Sequence, residues 1–239
     1  MAREQLMADE IRPDRRIFES RQELATALAG AVARVLSDAI SARGKAFLAV
    51  SGGTTPGAFF AALSQQPIDW SKVTVTLVDE RLAPPTSPRS NAALVEARLL
   101  KGPAAAARFV GLYHEADMAE DAAALANAAL RDLPWPLDAA ILGMGADGHT
   151  ASFFPDAANL DMLLDPSEQE IVLPVRAPSA GEPRLTLSLG AIVEARFLAL
   201  HIEGGEKRAV LDRACAGEAL PIRAVLDEAS RPVQIYWAP

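Results

Sequence analysis

The sequence is poor in cysteine, histidine and aromatic residues, short of positive charge, and free of long apolar runs. A single cysteine, Cys215, excludes an intramolecular disulfide and suits a reducing compartment. A lone cysteine usually behaves as a small buried hydrophobe, so no reactive role is assigned to it. The 3 histidines are scattered and no cysteine cluster accompanies them, which argues against a zinc site. Neither a metal nor a cofactor is expected. Asp and Glu number 31 against 23 Lys and Arg, for a formal net charge of −8. Such a chain does not coat nucleic acid, whose phosphates need clustered cations, and it avoids anionic membrane surfaces. No apolar run approaches the roughly 20 residues of a membrane helix. The opening segment MAREQLMADEIRPDRR is charged throughout, unlike a signal peptide. The expectation is a monomeric cytoplasmic protein without nucleic-acid or membrane partners.

What remains is an ordinary globular composition, 50% hydrophobic and 23% charged over 239 residues. One domain with one large core is the natural reading of that length. Short apolar runs alternate with helical stretches. Strands are expected at 15–20, 46–50, 73–78, 107–112, 137–143, 170–175, 184–189, 195–202 and 232–238. Over 20–43, Leu24, Leu28, Val32, Val35, Leu36 and Ile40 fall on one helical face, and Gly44 ends the helix. Further helices are expected at 91–100, 117–131, 188–195 and 206–214. The alternation predicts an α/β fold with a mainly parallel sheet covered by helices on both faces. In such sheets ligands sit at the carboxyl ends of the strands.

Three segments following apolar strands carry the chemistry. SGGTTPG at 51–57 leads from a strand into a helix. Its glycines allow close backbone approach, its hydroxyls donate, and free N–H groups with the helix dipole attract an anion. The plain alternative is a strand-to-helix turn. The loop matches neither the P-loop nor the dinucleotide glycine pattern, so a nucleotide is not indicated. DER at 79–81 places charges where a site belongs, or in a solvated loop, and Ser90 is a candidate N-cap beside Asn91. GMGADGHTASFFP at 143–155 carries His149 in a glycine-rich loop, two residues after Asp147. An imidazole ordinarily titrates near 6.5, so it takes and returns protons at neutral pH. His114 and His201 stand in plain contexts and are read as structural or exposed.

Together, SGGTTP at 51–56, DER with the later SN pair at 90–91, and the long 143–155 loop resemble the 6-phosphogluconolactonase family. PRLTLSL at 183–189 and GGEKR at 204–208 add weaker matches, so the likeness runs from about 46 to 210. The resemblance implies a modified Rossmann-like sheet shared with glucosamine-6-phosphate deaminases. It implies hydrolysis of 6-phospho-D-glucono-1,5-lactone to 6-phosphogluconate in the oxidative pentose phosphate pathway. It makes His149 the base and gives the phosphate to Ser51, Gly52, Gly53, Thr54 and Lys207, with Arg184 a further cation. Arg81 and Asn91 face the substrate, and Asp147 and Asp79 have roles in orienting His149 or holding sugar hydroxyls. The deaminases end the shared DGH element on Asn-Glu-Pro, where this chain has Phe153, Phe154 and Pro155. Phenylalanine exchanges no proton, which favours hydrolysis. The rival readings are an amino-sugar-phosphate isomerase and a non-catalytic sugar-phosphate binder.

Overall fold

The computed structural model describes residues 13–239. The charged segment 1–12, which carries most of the argument against a signal peptide, lies outside the described residues. The chain opens with β1 (Asp14–Ile17), α1 (Arg21–Arg43), β2 (Ala46–Val50) and α2 (Gly57–Ser64). Then come β3 (Val73–Leu77), β4 (Asp79–Arg81), α3 (Asn91–Arg98), β5 (Arg108–Phe109), α4 (Ala119–Leu130) and β6 (Ala139–Leu142). α5 (Leu160–Leu163), β7 (Val172–Val175), β8 (Arg184–Leu187) and α6 (Leu189–Val193) follow. β9 (Leu198–Glu203), α7 (Gly205–Cys215), α8 (Pro221–Glu228) and β10 (Gln234–Ala238) complete it.

Seven strands form one sheet in the order β1-β10-β9-β6-β2-β3-β5, and every pair is parallel. All five residues of β2 are buried, as a strand covered on both faces requires. The expected parallel α/β architecture is therefore present.

α1 shows how the sequence reaches its place. Ser20 caps it by accepting from the Glu23 amide, and Gly44 ends it at φ 74°. Leu24, Leu28, Val32 and Leu36 are fully buried, while Val35 and Ile40 are half-buried at the margin of that face. α1 is long and apolar enough to cross a membrane by length and composition alone, but half of its most apolar stretch is buried and it serves as a core helix. It packs on α2, β2, β10 and β6.

The runs at 170–175 and 184–189 do form strands, but not in the main sheet. β7 and β8 pair antiparallel, and β4 joins β8 antiparallel, giving a second, three-stranded sheet. DER is thus a strand rather than a loop. Val78 makes the junction: its N–H donates to Val50 of the main sheet and its carbonyl accepts from Leu187 of the small one. The buried residues of both sheets belong to one continuous core. α8 had no counterpart in the sequence reading, although Pro221 in its first turn and buried Ile222, Val225 and Leu226 are a helix signature. The strand expected at 107–112 shrinks to two paired residues.

Candidate active site

Three segments, the loops after β2 and β6 and strand β4 after β3, meet over one cavity of about 390 Å³. In the first, the Ser51 hydroxyl donates to the Ile141 carbonyl (2.9 Å) and accepts from the Gly143 amide (3.0 Å). Ser51 therefore staples two loops together instead of offering a free donor. Gly52 is required sterically, because a Cβ there would lie 1.8 Å from Asn91 Oδ1. Gly53 takes φ +92°, which side-chain-bearing residues rarely adopt. Pro56 stands at the N-cap of α2, just ahead of its first turn.

In β4 the three charges divide the work. Glu80 is fully buried and accepts from the amides of Arg81, Asn91 and Ala92 and from the Ser90 hydroxyl. It anchors the start of α3, where unpaired amides and the helix dipole favour a carboxylate. Burial pushes its carboxyl up from the usual range, against the pull of those donors. Ser90 caps α3 through the Ala93 amide, as its position suggests. Asp79 faces the cavity, accepting from Ser152 Oγ at 2.7 Å and from Asn91 Nδ2 at 3.2 Å. Asn91 also donates to the Asp79 carbonyl, which ties the start of α3 to β4, while the Ser152 bond ties Asp79 to the third loop.

The third loop presents His149. Its Nδ1 lies 2.6 Å from Asp147 Oδ1. A carboxylate only accepts, so Nδ1 carries the hydrogen and the neutral ring leaves Nε2 as an acceptor. Gly145 gives the pair its room: a Cβ there would stand 2.3 Å from His149 Cε1 and 2.5 Å from Asp147 Oδ1. Phe154 lies against the imidazole, with centroids 4.4 Å apart. Ala151 holds φ 48°, a left-handed conformation costing roughly 1–2 kcal/mol, two residues from His149. Asp147 stands behind the imidazole, outside the cavity wall.

Arg184 on β8 and Lys207 in the first turn of α7 complete the wall. The structure thus brings His149, Asp79, Ser51, Gly52, Gly53, Thr54, Arg81, Asn91, Arg184 and Lys207 to one cavity, with Asp147 braced on His149. Arg81, Arg184 and Lys207 give an acidic chain a local cationic pocket. Among the described residues, no group of three or more His, Cys, Asp or Glu is placed to hold a metal.

The sequence reading missed His201. Its strand, ALHI, alternates ordinarily and gives no hint of a site. Yet the ring lines the cavity, only 2% exposed, edge-on to Phe59. Its Nε2 is 3.4 Å from Glu203 Oε1 without a hydrogen bond. Burial, and then the charge of Lys207, lower its pKa to about 4. The unfolded chain, near 6.5, binds a proton in the window from 6.5 to 4 that the native protein refuses. Stability supplied by the neutral ring is therefore complete above pH 6.5 and lost as pH falls through that window, by about 3 kcal/mol in all. In urea titrations from pH 7 to 4.5, the wild type should lose more stability than His201→Asn. Equal losses in both proteins would contradict this. Cys215 also departs from expectation: it is exposed on α7, not buried.

The model for glucosamine-6-phosphate isomerases/6-phosphogluconolactonase matches residues 19–237. The chain belongs to this family. Curated 6-phosphogluconolactonases from Mesorhizobium japonicum and Rhizobium meliloti are similar to it. The first is 63% identical over 240 residues, covering 100% of both chains. The second is 55% identical, covering 93% of this chain and 97% of its own. The crystal structure of a 6-phosphogluconolactonase from Shewanella baltica superposes with a TM-score of 0.91 at 39% identity, covering 95% of this chain and 98% of that one. A monomeric glucosamine-6-phosphate deaminase shares the fold, with a TM-score of 0.75 at 17% identity. Phe154, the residue that the family resemblance sets against a deaminase glutamate, lies beside the His149 ring at an interplanar angle of 34°.

Proposed function

We propose that the chain hydrolyses 6-phospho-D-glucono-1,5-lactone to 6-phospho-D-gluconate, the lactonase step of the oxidative pentose phosphate pathway. One observation carries the reading: an imidazole oriented by a carboxylate shares a cavity with a glycine-rich loop and Lys207. The curated relatives support it. In this scheme His149 Nε2 takes a proton from water as the water oxygen bonds to the lactone carbonyl carbon. The developing oxyanion draws on donors of the same wall, loop amides or Arg81. The C1–O5 bond then breaks, the imidazolium protonates O5, and the new carboxylic acid ionises at neutral pH. Asp147 keeps the Nδ1–H tautomer throughout, and Asp79 receives sugar hydroxyls. Gly52, Gly53, Thr54 and Lys207 hold the phosphate, which fixes the lactone and lowers the entropic part of the barrier.

We take residues 1–239 as one domain, which the single continuous core supports. We take the enzyme to act as a monomer in the cytoplasm without metal or cofactor. A full set of site residues within one chain and the lone cysteine support this. The experiment is a coupled assay on freshly generated 6-phosphogluconolactone, corrected for spontaneous hydrolysis, with and without chelator. Enzyme-dependent opening that chelator leaves intact is expected. Ammonia release from glucosamine 6-phosphate in its place would favour the deaminase reading.

A further inference from the structure

Arg81 and Arg184 are directly opposed partners on antiparallel β4 and β8. Both line the cavity, and the Nε of each is buried without a hydrogen-bond partner. Their remaining recorded bonds go to carbonyls, Arg81 to Arg89 and Arg184 to Ala180. The neighbouring carboxylates are all committed elsewhere. Asp79 is held by Ser152 and Asn91, Glu80 by the start of α3, and Glu182 pairs with Arg89. Two guanidinium groups are thus set side by side with no carboxylate of their own, and each buried Nε–H is a donor left costly and open.

Their place in the cavity separates them from Lys207. Arg184 lies over the Phe154 ring (5.6 Å to its centroid), and the other contact of that ring is His149. Arg81 and Arg184 stand on strands of the three-stranded sheet, whereas Lys207 stands in the first turn of α7, directly after β9 of the seven-stranded sheet. The cations therefore form two groups, one at His149 and one at α7.

We propose that Arg81 and Arg184 form a second anion subsite that receives the carboxylate created at C1 by ring opening. This rests on the lactonase reading and reassigns Arg184, which the family resemblance offered as a further phosphate cation. Paired guanidinium groups present planar forks that match a carboxylate's two oxygens. The product then spans the cavity with an anion at each end, its carboxylate on the arginines and its phosphate on Lys207 and the 51–54 loop.

Titration calorimetry with two ligands tests this: 6-phosphogluconate and D-glucitol 6-phosphate, which lacks the carboxylate. Arg184→Gln should weaken 6-phosphogluconate about tenfold while changing glucitol 6-phosphate less than about twofold. Arg184→Lys, which keeps the charge but loses the fork, should show the same selectivity to a smaller extent and serves if the glutamine variant misfolds. Equal weakening of both phosphorylated ligands would return Arg184 to the phosphate and overturn the proposal, as would no weakening of either. A wild-type protein that binds neither phosphorylated ligand would instead sink the underlying sugar-phosphate reading.

Discussion

His149→Ala should lower turnover by roughly 10²–10⁴-fold, the usual worth of a general base, while 6-phosphogluconate still binds. The expectation follows from the tautomer. Asp147 holds the Nδ1 hydrogen, so Nε2 is the lone pair available to water at this end of the cavity. His201, the other imidazole in the wall, is a poor substitute. Burial and Lys207 hold it to a pKa of about 4, which makes it a weak base. The loss should appear in kcat, since the imidazole acts on water rather than gripping the sugar. Steady-state kinetics corrected for spontaneous opening, with calorimetric binding of 6-phosphogluconate, separates the two effects. Near wild-type turnover in a folded His149→Ala protein would remove His149 from the scheme.

Lys207→Ala should act on the other parameter, raising KM by about tenfold to a hundredfold with a smaller change in kcat. A charge-assisted hydrogen bond to a phosphate is worth about 1.5–3 kcal/mol, which corresponds to that range. Lys207 sits in the first turn of α7, beyond Gly204 at φ 84°, and acts on His201. It is thus placed to hold a distant part of the substrate. An unphosphorylated lactone should be a poor substrate for the wild type and be little affected by the substitution. If KM for the phosphorylated lactone stayed unchanged, the phosphate would have to be bound elsewhere.

Much of this site was legible because its residues lie in short segments whose composition is unusual for their place. A glycine-rich loop after an apolar strand has few purposes, and the loops at 51–57 and 143–155 both end over the cavity. Asp147 and His149 are close in sequence, so their pairing needs no tertiary information. Legibility failed where tertiary contacts decide. Glu80 looks like its neighbours in DER, yet its carboxylate alone among them accepts the backbone amides at the start of α3. The Ser51 hydroxyl reads as a ligand donor until Ile141 and Gly143, 90 and 92 positions away, are seen to engage it. His201 and the facing of Arg81 by Arg184 depend on strand pairing across the chain, which local periodicity does not encode. The second sheet escaped for the same reason: β7 and β8 have ordinary strand composition, and only their partners make them antiparallel.

The most direct test is a crystal structure of the His149→Ala protein soaked with 6-phosphogluconate. The phosphate is predicted within hydrogen-bond reach of Lys207 Nζ and the 53–54 backbone, with C1 turned toward the space vacated by the imidazole. A ligand lying the other way round, phosphate on the arginines and C1 against α7, would contradict the account.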